Sequence, residues 1–360
     1  MRIVLFVHSL VSDWNNGNAH FQRGIARELV HRGHDVVAYE PAHGWSRTNL
    51  SREPDGADAV AEFHRVFPEL RSIAYGRELD VAAAVRRADL VLIHEWNDPA
   101  LVRELGLLRK RGRFRLLFHD THHRAVTAPG DIGRYDLRDY DAVLAFGAVI
   151  RDLYLARGWT TRAWTWHEAA DVRLFRPIEA EPTGDLVWIG NWGDEERTAE
   201  LHEFLIEPAR RLGLSGCVYG VRYPDEALRA LRRAGLRYGG WLPNHRAPAV
   251  FARHRVTVHV PRRPYVDALP GVATIRPFEA LACGIPLVSA PWRDTERLFR
   301  DGDFRIARDG AEMERELTRA LEAPRNTGRA TILTRHTCGA RADELLAIVC
   351  SIEEEEVAAA

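Results

Sequence analysis

The sequence predicts an α/β protein of two domains, each built on a parallel sheet with helices on both faces. Three observations lead there. The 360 residues suit two domains at about 100–200 residues each. Short apolar runs alternate with helix-period segments along most of the chain, as successive βαβ units require. The runs are continuous rather than alternating, the pattern of strands covered by helices on both sides.

In the first half, Arg2–His8, Asp35–Tyr39, Leu90–His94, Arg115–His119 and Ala142–Phe146 read as strands. Between the first two, His20–His31 places Phe21, Ile25, Leu29 and Val30 on one helical face and stops at Gly33. The rhythm restarts after Pro177, within the proline- and charge-bearing stretch Arg173–Pro182 expected to link the domains. Leu186–Ile189, Cys217–Tyr219, Val256–Val260 and Pro286–Ser289 follow as strands. Glu195–Leu212, Asp225–Ala234, Pro248–Arg253, Ile275–Ala282 and Glu312–Leu321 follow as helices, while Leu298–Arg308 has no clear period. The acidic tail Glu353–Glu356, with the alanines beyond it, reads as a solvated end.

Composition excludes several classes. Fifty basic residues against 51 acidic give a net charge of −1, so no global positive field holds a nucleic-acid polymer. Lys110 is the only lysine, leaving one candidate for Schiff-base chemistry. Cys217, Cys283, Cys338 and Cys350 show no CxxC spacing, which predicts a reducing, cytoplasmic setting. No apolar run approaches the roughly 20 residues of a membrane span, and the amino terminus reads as a strand rather than a signal peptide.

Ligands of doubly wound sheets bind beyond the carboxyl ends of the strands, and the chemistry-bearing residues lie there. After the first strand come Asn16, Gly17 and Asn18, residues that tolerate positive φ ahead of a helix amino terminus. A plain turn explains them as well as a phosphate or sugar contact does. His94–Asn97 and His119–His123 crowd two later strand ends without the spacing of a metal site. Sugar-hydroxyl contacts or proton handling fit them better. In Trp164–Pro177 the aromatics suit a packed seam, and the charged pair His167 and Glu168 is placed to face a ligand. Gly190, Asn191 and Gly193 form a glycine loop followed by Arg197, which either bonds phosphate or faces water. Thr274–Ser289 is the sharpest segment. Its helix, opened by Pro277 and closed by Gly284, carries Glu279 in an expected first turn beside Arg276. Such a carboxylate suits vicinal ribose hydroxyls while helix amides face phosphate.

These residues, in this order, resemble the group 1 glycosyltransferases of GT-B fold, the glycogen-synthase-like group, with the spore-coat (CgeB-like) branch nearest. Arg276–Val288 resembles the donor-binding helix, whose glutamate, here Glu279, contacts the nucleotide ribose. Glu168–Pro177 resembles the hinge, and His336–Leu346 the closing helix that crosses back to the first domain. The resemblance implies two Rossmann-like domains with parallel sheets facing across a cleft. Residues 1–177 would bind the acceptor, 178–335 the nucleotide sugar, and 336–360 would form the returning helix and acidic tail. It implies transfer of a hexose-like sugar from a UDP- or GDP-linked donor to an unnamed small-molecule, glycan or protein acceptor, with retained configuration and neither metal nor cofactor. Asn16, Gly17, Gly190, Asn191, Arg197, Arg276 and Glu279 would bind the donor. His119 would bond a donor-sugar hydroxyl, and the loops Pro41–Leu50 and Ala125–Tyr135 would shape the acceptor pocket.

Three departures stand out. Gly271 replaces an acid that normally lies by the transferred sugar, Arg197 is the cation nearest the missing loop lysine, and Ala169-Ala170 replaces asparagine-glycine in the hinge. They keep two other readings open: a non-catalytic nucleotide-sugar-binding protein, and an epimerase or inverting transferase using Glu168 or Asp120 as base.

Overall fold

The fold was obtained as a computed structural model, and the structure describes residues 1–359. The chain forms two compact units, Met1–Glu168 with Cys338–Ala360, and Ala169–Thr337.

Unit 1 holds seven parallel strands: β1 (Arg2–Phe6), β2 (Asp35–Pro41), β3 (Ser72–Tyr75), β4 (Leu90–His94), β5 (Arg115–Asp120), β6 (Ala142–Ala145) and β7 (Ala163–Thr165). Their order is β3-β2-β1-β4-β5-β6-β7. The direction of winding reverses between β1 and β4, the topological switch point at which such sheets open a crevice. β1, β4 and β5 are apolar and buried almost throughout because helices cover both faces. β3 and β7 escape a search for apolar runs. The edge strand β3 has no fully buried residue, and β7 is only three residues long.

Helix α1 (Asn18–His31) follows β1 and buries Phe21, Ile25 and Leu29. The sequence expected positive φ in the turn before it. The residue that adopts it is Asn15, at φ 48°, whereas Gly17 is the helix cap at φ −63°.

Unit 2 repeats the plan with β8 (Gly184–Ile189), β9 (Gly216–Tyr219), β10 (Leu236–Tyr238), β11 (His254–His259), β12 (Leu287–Ser289) and β13 (Arg305–Ile306). The order β10-β9-β8-β11-β12-β13 puts its switch point between β8 and β11. Phe175, inside the expected linker, is buried in this unit's core beside Phe278 and Ile332. The helix expected over 195–212 is broken instead. It begins at Thr198 and widens into a π-turn at His202–Ile206. Pro208 follows; lacking an N–H, it removes one rung from the regular ladder. Helix α2 (Ile275–Ala282) is capped by Thr274, so Glu279 lies in its second turn, not its first.

The last helix, α3 (Cys338–Ala359), belongs to unit 1 and packs on α1. Ala342, Leu345, Val349 and Ile352 are its buried stripe. The buried Trp166 indole donates to Arg341 O at 2.9 Å, and Arg341 Nε donates to His167 O at 2.9 Å. The acidic tail expected to be a solvated end continues this helix. Glu353 lies 3.7 Å from Arg115 and Glu355 2.7 Å from Arg162, so opposite charge holds it to unit 1. At the other end of unit 2, Ala170 N–H donates to His336 O at 3.0 Å. No helix among the described residues is long and apolar enough to cross a membrane.

Candidate functional site

The residues singled out from the sequence fall into two groups. Gly190, Asn191, Arg197, Arg276 and Glu279 lie in unit 2; Asn16, Gly17, His119, Asp120 and Glu168 lie in unit 1.

In unit 2, Arg197 spans the switch point. One guanidinium nitrogen donates to Asn191 O, just past β8, at 2.6 Å; the other donates to Val260 O, just past β11, at 2.8 Å. Its Nε is buried with no hydrogen-bond partner among the described residues. The side chain makes no cap bond to the helix that follows it. Burial, with the neighbouring charge of Arg262 added, pushes its pKa down to about 9. Gly193 makes this possible: its φ is +95°, and a Cβ there would lie 2.9 Å from Arg197 Nε. Asp194 and Glu195 follow at φ 50° and 70°, a left-handed run that non-glycine residues adopt at a cost. Asn191 Oδ1 accepts from Val221 N–H at 2.9 Å, tying the loop to the turn after β9.

Glu279 is fully buried. Its Oε1 accepts from Asn244 Nδ2 at 2.6 Å, and Oε2 pairs with Arg276. The Arg276 pairing was legible from adjacency; Asn244, on the short turn Asn244–Arg246, was not. His259, at the end of β11, joins Ser289 Oγ at 2.9 Å and the cap residue Thr274 Oγ1 at 3.1 Å. Burial, with Arg197 and Arg276 nearby, lowers its pKa to about 3. This neutral imidazole pins the start of α2 to two strand ends. Arg262 pairs with Glu196 at 2.8 Å. At Gly271, φ is +87°, and a Cβ would meet Glu296 Cγ and Thr295 Oγ1 at 2.7 Å. A larger residue is disfavoured there by both backbone and space, and the Glu296 side chain fills the place.

In unit 1 the loop after β1 is fastened from both sides. Buried Glu40 accepts from Ser9 Oγ at 2.6 Å and Leu10 N–H at 3.1 Å, while buried Arg23 donates to Leu10 O at 2.7 Å and Val11 O at 3.0 Å. Asn16 donates to Ser9 O at 3.2 Å, and Gly17 is exposed. His119 is 2 % exposed and packs its ring against Trp166 at 4.8 Å, His94 at 5.6 Å and Phe21 at 5.9 Å. Burial lowers its pKa to about 3. With His94, Gln22 and Trp166 it lines a cavity of about 20 Å³, room for one water. The expected sugar-bonding histidine is therefore a core residue as placed. Asp120 is also fully buried, accepting from His122 N–H at 3.0 Å and Tyr154 OH at 2.8 Å. Glu168 is 4 % exposed.

Sequence reasoning overlooked a buried carboxyl pair. Glu95, following β4, lies beside Asp120 at the end of β5 and is bonded by Arg124. Burial, then the charge of Asp120, pushes Glu95 up to about 8; burial pushes Asp120 to about 6. The pair therefore keeps a proton near neutrality. An unfolded carboxyl releases it near pH 4, so the pair's contribution to stability falls as pH rises through the folded values. The buried histidines act oppositely. His8, His119 and His259 have folded values of about 4, 3 and 3, and their contribution is complete above the unfolded value of about 6.5. The thermal midpoint should accordingly decline between about pH 6.5 and 8, and Glu95→Gln should flatten that decline. An unchanged slope in the variant would contradict the assignment.

Among the described residues no group of three or more His, Cys, Asp or Glu is placed to hold a metal ion.

Residues 197–347 match the family model described as glycosyl transferase-like. No curated protein sequence matches the chain. Three solved structures of similar fold share little sequence with the chain. Sucrose-phosphate synthase from Thermosynechococcus elongatus is 14% identical, with 100% of each chain covered and a TM-score of 0.64. The Anabaena HepE protein in complex with UDP-glucose is 11% identical over 98% of this chain and 100% of its own, at 0.68. An α-glucosyltransferase in complex with UDP and a DNA containing an HMU base is 13% identical over 97% of this chain and 99% of its own, at 0.67. Two Rossmann-like units with these strand orders, and these neighbours, give the chain the GT-B glycosyltransferase fold, with a glycosyl transferase-like match over residues 197–347.

Proposed function

We propose that the protein is a nucleotide-sugar-dependent, hexosyl-transferring glycosyltransferase of the group 1 type, nearest its spore-coat branch, and that UDP is the leaving group. The observation that carries this reading is the grouping in unit 2 of a buried carboxylate, Glu279, with Arg197, Arg262 and Arg276 about the β8–β11 switch point. A nucleoside diphosphate offers the matching chemistry: a vicinal diol for the carboxylate and two phosphates for the cations. A ribose hydroxyl would bond Glu279 by taking the place of the Asn244 amide, which donates to Oε1 at 2.6 Å. The UDP complexes among the structural neighbours support uracil over guanine.

Mechanistically, negative charge grows on the diphosphate as the sugar–oxygen bond breaks. Arg197 and Arg276, with the amides at the start of α2, are the groups of this chain suited to oppose it, whereas the Gly190 N–H that the sequence suggested for this role donates to Tyr219 O at 2.9 Å. That reading needs no metal. We propose retention of configuration, with Glu296 the carboxylate beside Gly271. The test is a thermal-shift panel of UDP, GDP, UDP-glucose and GDP-mannose, run with and without excess EDTA. UDP at a hundred times its dissociation constant should add about 2.7 kcal/mol, visible as a raised midpoint that chelation leaves in place. No shift with any nucleotide would reject the reading, and a shift abolished by EDTA would reject its metal independence.

A further inference from the structure

Two of the chain's tryptophans are exposed large hydrophobics, Trp45 at 45 % and Trp96 at 41 %, and both follow the carboxyl ends of unit 1 strands. Trp96 comes two residues after β4, and Trp45 opens a short helix after β2. Each is braced from within. The Arg124 guanidinium lies 3.8 Å from the Trp96 ring centroid, and His122 meets the same ring edge-on at 5.1 Å. Trp14 stands edge-on to Trp45 at 5.0 Å, and its own indole donates to Glu53 at 2.7 Å. His8 connects them across the end of β1. Its ring lies 6.2 Å from Trp96, and its carbonyl oxygen would lie 3.4 Å from a Cβ on Gly44, the residue before Trp45. His8 and Trp96 thus flank the β1–β4 switch point, where a doubly wound sheet receives its ligand.

The electrostatics narrow the class of ligand. Arg124 is matched by the one negative charge that the Glu95–Asp120 pair retains, and Arg47 by Glu40. His8 is held neutral by burial, with a pKa near 4. Buried Asn97 adds an amide that donates to Phe6 O at 3.1 Å and accepts from Tyr75 OH at 3.3 Å. What remains is apolar ring surface bordered by neutral hydrogen-bonding groups, without an unmatched cation among these side chains to take up a phosphate. A polynucleotide would need such cations along its backbone. A sugar ring, with one C–H face and a rim of hydroxyls, does not.

We infer that Trp96, with His8 beside it and Trp45 following the next strand end, forms a binding platform for an uncharged carbohydrate, the group to which the donor sugar is transferred. This identification of the acceptor class rests on the glycosyltransferase reading above. The platform itself lies within unit 1 alone.

The test uses the full chain, fluorescently labelled, on an array of neutral and charged oligosaccharides that also carries single- and double-stranded DNA oligonucleotides. UDP affinity is measured in parallel. The wild-type protein should bind neutral oligosaccharides. Trp96→Ala should lower that signal at least tenfold, and Trp96→Phe, which keeps a ring, should retain most of it. Circular dichroism and the thermal midpoint establish that each variant is folded; if Trp96→Ala is not, the comparison is made with Trp96→Leu. UDP binding without any neutral oligosaccharide signal would overturn the platform while leaving the nucleotide reading intact; oligosaccharide binding without UDP affinity would do the reverse. A signal confined to DNA or charged glycans, equal binding by Trp96→Ala, or self-association of the protein through Trp96 would each overturn it.

Discussion

Glu279→Ala is expected to weaken UDP binding by about tenfold to a hundredfold, the value of one hydrogen bond to a charged group, roughly 1.5–3 kcal/mol. The location of the loss matters more than its size. If the carboxylate holds the ribose diol, wild-type protein should prefer UDP to its 2′,3′-dideoxy analogue, and the variant should bind the two alike. Glu279→Gln should fall between them, since an amide oxygen still accepts one bond. Because Glu279 is fully buried and partnered by Arg276 and Asn244, the alanine variant should also melt earlier: it takes an acceptor from a partly buried guanidinium and from an amide. Calorimetric titration of both nucleotides into each variant checks the expectation. A preference for the ribonucleotide that survives in Glu279→Ala would remove the residue from the site.

Arg197→Ala should have the larger effect on stability. The side chain links the carboxyl ends of β8 and β11 through two backbone carbonyls, each bond worth about 1.5–3 kcal/mol. Its loss should lower the unfolding midpoint of unit 2 and loosen the Gly190–Gly193 loop, so UDP affinity should fall with it. Arg197→Lys should recover little. An ammonium is a point donor that cannot reproduce the guanidinium fork across the two strand ends, and Asn191 O and Val260 O lie on opposite sides of the switch. Hydrogen exchange on the loop amides, measured with the thermal midpoint, separates the cases. Unaltered exchange and midpoint would show that the carbonyl bridge carries no load. A loss of turnover with stability and binding intact would instead leave Arg197 acting on the departing diphosphate alone.

How much of this was legible in the sequence depends on the range of the interaction concerned. Leu90–His94 and Ile275–Ala282 carry their own signal, an apolar run and an apolar helix, and the structure has both within those bounds. Arg276 and Glu279 are neighbours along one helix. Edge strands such as Leu236–Tyr238, with two exposed residues, need no apolar run because one flank faces no partner strand. Asn244 meets Glu279 across 35 residues, and Arg197 meets Val260 across 63; no local pattern announces such pairs. His119 shows the converse. Position at a strand end suggested a sugar contact, but the aromatic neighbours that bury it come from α1 and from Trp166, and only folding brings them together. Trp96 sits within a histidine cluster, and nothing in His94–Asn97 shows that its ring stays exposed while Arg124 covers one side.

The arrangement of α3 bears on how the chain is made. Unit 2 begins and ends at adjacent points, Ala170 against His336 and Thr337, so it resembles an insert whose ends are already joined. Unit 1 is completed only by Cys338–Ala360. During synthesis from the amino terminus, the seven-stranded sheet therefore emerges first but waits for Cys338–Ala359 to follow the whole of unit 2, with the α1 surface meant for Leu345, Val349 and Ile352 uncovered until then. Unit 2, whole as soon as Thr337 clears the exit tunnel, can close before unit 1 does. A chain interrupted just after Thr337 would thus spare the unit proposed to bind nucleotide and leave the α1 face of the unit proposed to bind the acceptor uncovered.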